Sequence, residues 1–161
     1  MTAWTIISLG NRFRGDDAAG PYVLDCLKCA AGKQLACIEN GGDMPQLLED
    51  WKHRRVILID ALMDDCRPAG TLLRFDGLRQ AIPASLCQTS SHGLNLGEAI
   101  ELGRILDALP RQLTVYAICG ADFGTGTPLS PSVRATADTI AQEVLTRYVM
   151  EEGGPQCTNN P

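Results

Sequence analysis

The chain has 161 residues, of which 45% are hydrophobic and 20% charged, and this predicts one globular domain long enough to bury a core. Its formal net charge of −5 argues against nucleic acid or anionic lipid as the main partner, because both require clustered Lys and Arg. The seven cysteines show no disulfide framework, and neither a secretory signal nor an apolar span of ~20 residues is visible. No membrane association and a reducing, cytoplasmic location are therefore expected.

The N-terminal segment predicts a strand, a loop and a helix. Residues 5–9 form a continuous apolar run typical of a buried strand, and a glycine-bounded loop follows. Apolar residues at helical spacing then predict a helix that closes at Gly32. Pro21 must lie in its first turn, because a later proline would remove a helical hydrogen bond. Asp16 and Asp17 are thereby placed at or just before the N-terminus of this helix.

The strongest predicted strand, 56–59, stops at Asp60, and its continuous apolar run favours a central position in the sheet. The next strand follows soon after it, so that pair can be antiparallel. A long connection over 76–91 leads to Ser90 and Ser91, which are expected to cap a helix that starts near His92. The remaining predicted elements are a strand at 34–39, a helix at 44–50, a strand at 71–75, a strand at 113–119, a glycine-rich loop at 121–131 and a helix at 133–148.

The alternation of strands and helices predicts an α/β protein, a three-layer α/β/α sandwich with a central, mostly parallel twisted sheet of about five strands. The domain is expected to span residues 1–150, and the tail at 151–161 is expected to be disordered. Ligands of such sheets gather at the carboxyl ends of the strands.

Three polar features are placed to share one crevice: the Asp16-Asp17 pair, Asp60 and His92. Two carboxylates and an imidazole are a ligand set that suits divalent nickel, zinc or manganese. Two nearby aspartates also repel each other unless a cation or a proton lies between them.

Each of these residues also has a structural interpretation. An Asp before a helix is usually a cap, an Asp after a strand is often a turn former, and a His at a helix start is commonly structural. Phosphate binding by the first loop is disfavoured, because the loop lacks the third glycine of the dinucleotide motif and no Gly-Lys-Ser/Thr follows it. Cys26 and Cys29 lie one turn apart in a predicted helix, which favours packing over a zinc site.

Several motifs, in order and spacing, resemble those of the hydrogenase maturation proteases from about residue 6 to about residue 145. The motifs are Gly10-Asn11, Gly15-Asp16-Asp17-Ala18-Ala19-Gly20-Pro21, Asn40-Gly41-Gly42, Ile59-Asp60-Ala61 and Ser90-Ser91-His92-Gly93-Leu94. In that family an acidic residue, an aspartate and a histidine bind a metal in a surface cleft. The resemblance therefore implies that Asp17, Asp60 and His92 are both the catalytic and the metal-binding residues, with Asp16 as a neighbour.

The activity implied by the resemblance is endopeptidase removal of a C-terminal extension from the nickel-loaded large-subunit precursor of a nickel–iron hydrogenase. The nickel is expected to be carried by the substrate, although another divalent metal such as zinc is possible, and the protein is expected to act as a monomer. Two alternatives stay open at this point. One is a non-catalytic nickel- or precursor-binding maturation chaperone, and the other is an independent zinc metallohydrolase.

Overall fold

A computed structural model describes residues 3–84 and 95–150 of the chain. A five-stranded sheet with the order β2-β1-β3-β5-β4 forms its centre. Every neighbouring pair is parallel except β4 and β5, which are antiparallel. The short connection before β4 led us to expect an antiparallel pair with β3, but β4 pairs with β5 instead, at the edge of the sheet. The strands are β1 (Trp4–Leu9), β2 (Ala36–Asn40), β3 (Arg55–Met63), β4 (Leu72–Asp76) and β5 (Gln112–Gly120).

Helices cover both faces of this sheet, which confirms the predicted α/β/α sandwich. The helices are α1 (Ala19–Ala31), α2 (Met44–Trp51), α3 (Leu96–Ile105) and α4 (Pro131–Val144), and a π-helix (Leu145–Met150) continues α4. Helices α1 and α4 pack on one face, and α2 and α3 pack on the other. No helix within the described ranges is long and apolar enough to cross a membrane.

The central strand β3 carries apolar residues on both faces because both faces are covered. Ile57 and Ile59 pack in the core cluster that contains α1 and α4, whereas Leu58 and Leu62 pack in the cluster that contains α2 and α3. Alternate residues of a strand point to opposite faces, so a doubly covered strand has no polar face. Asp60 interrupts this pattern and lies on the α2/α3 side by the same alternation.

The prediction that this strand stops at Asp60 is wrong. Strand β3 continues to Met63, because β5 pairs with it through Met63↔Gly120. On its other side, the pairing with β1 ends at Ile59. Asp60 therefore lies inside the strand, one residue beyond its last pairing with β1.

The third helix also differs from its prediction. It begins at Leu96, and the Asn95 side chain caps it by accepting a hydrogen bond from the Glu98 N–H at 3.1 Å. The predicted cap at Ser90-Ser91 and the start near His92 lie outside the described residues. The apolar residues near its C-terminus are largely exposed instead of packed in the core; they are Leu102, Ile105 and Leu106.

Candidate active site

The loop after β1 turns back on itself at Gly10. This residue has a φ of +122°, and a Cβ atom there would overlap the backbone carbonyl oxygen of Asp17. The Gly10 N–H also donates to the carbonyl of Asn40 at the end of β2 (3.2 Å). Glycine is required here by both the left-handed backbone and the close approach. The turn thereby brings Asp17 back against the carboxyl end of β1.

Asp17 lies in a short 3-10 turn (Gly15–Ala18) that precedes α1, as the position of Pro21 predicted. The residue is only 1% exposed. Its Oδ2 atom accepts a hydrogen bond from the Asn11 N–H at 2.8 Å. The loop backbone therefore fixes the orientation of this buried carboxylate.

Asp60 faces the same region from β3 and is also buried. Its Oδ1 atom accepts a hydrogen bond from the Ala61 N–H at 2.8 Å. Burial, together with the negative charge of Asp17, raises the pKa of Asp60 to about 8, and the Ala61 N–H opposes this rise only in part. Asp17 and Asp60 thus form a buried pair of carboxylates, called the Asp17–Asp60 pair below.

The chemistry of this pair suits a divalent cation. The two carboxylates repel each other when both are ionised. A divalent cation between them would remove this repulsion and take the place of the proton that Asp60 otherwise holds. The third residue implied by the resemblance, His92, lies outside the described residues. Within residues 3–84 and 95–150, no three side chains of His, Cys, Asp or Glu are grouped closely enough to hold a metal.

Asp16 has a different task from its neighbour. Its Oδ2 atom accepts hydrogen bonds from the Ala121 N–H (2.7 Å), the Asp122 N–H (3.0 Å) and the Ser130 hydroxyl (2.7 Å), and its Oδ1 atom accepts one from the Ser130 N–H (2.7 Å). Burial alone would raise the pKa of Asp16, but these donors outweigh it and lower the pKa. Asp16 is therefore no helix cap; it ties the loop between β5 and α4 to the turn that carries Asp17.

Sequence reasoning assigned no site residue in this loop, yet the loop is bonded to the turn that carries Asp17. The Asp16 N–H donates to the Asp122 carbonyl at 2.7 Å, so backbone and side chain of Asp16 both bind the loop. Gly15, with a φ of +53°, has no room for a Cβ atom beside the Asp122 carbonyl and the Thr127 hydroxyl. The only sequence signal for this contact is the unexplained Asp beside Asp17.

The packing interpretation of Cys26 and Cys29 holds for the first of these cysteines and not for the second. Cys26 is half-buried and packs against the core cluster of α1 and α4, whereas Cys29 is exposed. Burial raises the pKa of the Cys26 thiol, which is the behaviour of a packed residue.

Comparison with known proteins gives structural matches only. No protein-family model matches the sequence, and no curated protein matches it. The fold is similar to that of a hydrogenase maturating endopeptidase, HybD, from E. coli, with a TM-score of 0.77, 22% identity, and coverage of 95% of this chain and 94% of that one. It is also similar to the [NiFe] hydrogenase maturation protease HybD from Thermococcus kodakarensis, with a TM-score of 0.67, 22% identity, and coverage of 91% and 99%.

A third solved structure, a hydrogenase 2 maturation peptidase from a Thaumarchaeota archaeon, matches with a TM-score of 0.60, 24% identity, and coverage of 90% and 97%. The chain has the fold of the hydrogenase maturation peptidases over nearly its whole length. This is the fold that the motif resemblance implied.

Proposed function

We propose that this protein is a hydrogenase maturation endopeptidase, which removes the C-terminal extension from the nickel-loaded large-subunit precursor of a nickel–iron hydrogenase. The observation that carries the proposal is the buried Asp17–Asp60 pair at the carboxyl edge of a parallel sheet. Ligand sites of this architecture lie at that edge. The motif resemblance and the named functions of the structural neighbours support the same activity.

In this proposal the nickel belongs to the substrate. The Asp17–Asp60 pair, together with His92, engages the incompletely coordinated nickel of the precursor and so holds the scissile peptide in place. Two carboxylates and one imidazole, without a thiolate, form a weak site for a resident metal, which favours a cation that arrives with the substrate. Orientation of this kind can supply as much as ~7–11 kcal/mol toward the barrier.

The bond cleavage is a hydrolysis. Water adds to the scissile carbonyl, the carbon–nitrogen bond breaks, and a proton passes to the leaving amine. Polarisation of the carbonyl or of the water by nickel is the favoured route. The alternative route is that one aspartate of the pair, instead of the metal, activates the water by accepting its proton as a general base.

The test is a processing assay with the purified full-length protein and the cognate large-subunit precursor, in nickel-loaded and nickel-free forms. Intact mass spectrometry measures the loss of the C-terminal peptide. Asp60→Asn is the matched inactive control, because it keeps the shape and the acceptor for Ala61 but removes the charge. We expect cleavage of the loaded precursor only, and none by the variant.

The other outcomes select the remaining alternatives. Cleavage of both precursor forms would indicate a metallohydrolase that carries its own metal. Binding of the precursor without cleavage would indicate a maturation chaperone. Full processing by a folded Asp60→Asn protein would remove the Asp17–Asp60 pair from the reaction.

A further inference from the structure

A small polar pocket lies at the edge of the sheet opposite to the candidate active site. Strands β1, β3 and β5 begin at this edge, and the antiparallel strand β4 ends there. The pocket has a volume of about 160 Å³, well below the roughly 300–1,000 Å³ of sites that hold whole cofactors. It therefore has room for one small chemical group. Its polar lining residues are Asp76, Arg79, Arg111, Gln112 and Thr114.

Two arginines of this lining, Arg79 and Arg111, are cations that the fold does not pair. Both are exposed, and among the residues that the structure describes neither guanidinium forms an ion pair. By contrast, Arg12 and Arg74 bind carboxylates of the fold at 2.8 and 2.7 Å. Arg presents a fork of N–H donors that matches the two oxygens of a carboxylate. A pocket lined by two unpaired arginines therefore suits an oxyanion.

The backbone holds both arginines in place. The Asp76 Oδ1 atom accepts hydrogen bonds from the Leu78 N–H (2.9 Å) and the Arg79 N–H (3.1 Å), which closes the turn after β4. The Arg111 N–H donates to the Arg54 carbonyl at 2.7 Å, just before β3 and β5 begin. A ligand thus meets two cations on ordered segments, and its binding has only side-chain freedom to restrict.

Asp76 limits the charge that the pocket accepts. Its side chain lines the pocket together with the two arginines, so the formal charges of these three groups sum to +1. One carboxylate group balances this charge. A dianion such as phosphate overcompensates it and is repelled by Asp76 more strongly than a carboxylate is. The charge of the pocket therefore favours a single carboxylate.

The surface beside the pocket favours an acidic protein segment as the source of that carboxylate. Lys52 and Arg54 are exposed on the connection between α2 and β3, which is bonded to Arg111 through the Arg54 carbonyl. Several cations along one edge suit a segment that carries more than one carboxylate. The net charge of −5 disfavours nucleic acid, because long-range attraction brings polyanions to proteins of positive net charge.

We propose that this pocket receives the carboxylate of an acidic segment of a protein partner, with Arg79 and Arg111 as its ligands and Lys52 and Arg54 as further contacts. The segment is anchored by one Asp or Glu side chain in the pocket. Its neighbouring acidic residues lie along the basic edge. This docking surface recognises its partner by charge and by the small size of the pocket.

The docking surface is separate from the candidate active site. Arg55 begins β3 at the edge of the pocket, and Asp60 follows five residues later on the same strand. At ~3.3 Å per strand residue the two are roughly 16 Å apart. A partner bound at the pocket therefore leaves the Asp17–Asp60 pair open to substrate, and the inference does not depend on the proposed function.

The experiment measures the binding of a fluorescein-labelled hexaglutamate peptide to the full-length protein by fluorescence anisotropy at low ionic strength, where screening is weak. The double variant Arg79→Gln/Arg111→Gln should raise Kd about 10-fold, as expected for the loss of two exposed ion pairs. Asp76→Asn removes the opposing charge and keeps the acceptor for the two N–H groups of its turn. It should lower Kd about 3-fold.

The matched control is Arg67→Gln/Arg134→Gln. It removes the same charge from two exposed arginines at the opposite edge of the sheet, in the turn after β3 and in the first turn of α4. Its Kd should equal that of the wild type. Urea denaturation checks that all variants fold as stably as the wild type, which exposed side chains allow.

Each other outcome overturns the inference. An equal loss of binding in the control indicates general attraction between charges. Acetate or inorganic phosphate that displaces the peptide at equal concentration indicates a site for a free small anion, and tighter binding of a short DNA duplex indicates a nucleic-acid surface. Failure of hexaglutamate to bind, or an unchanged Kd in Arg79→Gln/Arg111→Gln, removes the docking role. None of these measurements involves cleavage, so the proposed function is tested separately.

Discussion

Replacing Asp60 by Asn should stabilise the isolated protein at neutral and alkaline pH. The Asp60 carboxyl has a pKa of about 8 in the folded state and its ordinary value of 3.8 when unfolded. The folded state therefore binds one proton more than the unfolded state between these values. The stability linked to that proton is fully present below pH 3.8 and is lost as the pH rises through 8. Asn has no proton to lose, and its side-chain oxygen can still accept the Ala61 N–H.

The size of the effect follows from proton linkage. Because the folded state holds one extra proton, its free energy of unfolding falls by about 1.4 kcal/mol for each unit that the pH rises between the two pKa values. From pH 5 to pH 7, the wild type should therefore lose roughly 3 kcal/mol relative to Asp60→Asn. For a chain of this length, that difference corresponds to a shift of roughly 6–12 °C in melting temperature.

The assay is urea denaturation at pH 5, 6, 7 and 8, followed by the fluorescence of the two buried tryptophans, Trp4 and Trp51. Asp65→Asn, in the exposed turn after β3, is the control for loss of one negative charge and should give a curve parallel to the wild type. The reasoning is refuted if the stabilities of Asp60→Asn and the wild type stay parallel across this range. If Asp60→Asn is more stable than the wild type but does not process the precursor, the Asp60 carboxylate serves the activity and lowers the stability of the fold.

Three further substitutions test the supports of the site by urea denaturation. Asp16→Ala should lower the free energy of unfolding by at least ~3 kcal/mol, because it leaves three backbone N–H groups and a hydroxyl of the loop before α4 without their acceptor. A decrease below ~1 kcal/mol would contradict the role of Asp16 in holding this loop. Ser8→Ala should be neutral or stabilising by up to ~1 kcal/mol, since the buried Ser8 hydroxyl has no hydrogen-bond partner in the described part of the chain. Gly10→Ala should destabilise by more than ~2 kcal/mol through its φ of +122° and its overlap with Asp17, whereas Gly41→Ala, which has open space around it, is the control.

The sheet and its layers could be predicted because their signals are local. The apolar run in β3, the helical spacing after Pro21 and the early return of β4 are all readable within about ten residues. The end of β3 could not be read in this way. Asp60 is a polar residue that usually marks a strand end, but β5 continues to pair beyond it as far as Met63. Tertiary pairing thus overrode the local pattern at the residue that matters most for the site.

The candidate site was predictable only for the residues that carry a motif. Asp17 stands out because it follows a recognisable strand and glycine-bounded loop, and Asp60 because it directly follows a strong apolar run. The hydrogen-bond partners of Asp16 do not stand out in the sequence, since these bonds join residues that are 105 to 114 positions apart. No local pattern encodes a carboxylate that accepts backbone N–H groups from a distant loop. Its sole trace in the sequence is Asp16 itself, to which the resemblance gave no role beyond that of a neighbour of Asp17.

The buried Asp17–Asp60 pair offers a physical reason why a loaded precursor would be selected over an empty one. Without a cation, docking a neutral peptide against the pair excludes water and raises the cost of ionising Asp60 further. With substrate nickel present, the proton on Asp60 is exchanged for a divalent charge that attracts both carboxylates. Under the proposed function, the two side chains therefore gain binding free energy from the loaded precursor that the empty one does not supply. Selectivity of this kind is a difference between two binding free energies, and the proposal places the difference at Asp60.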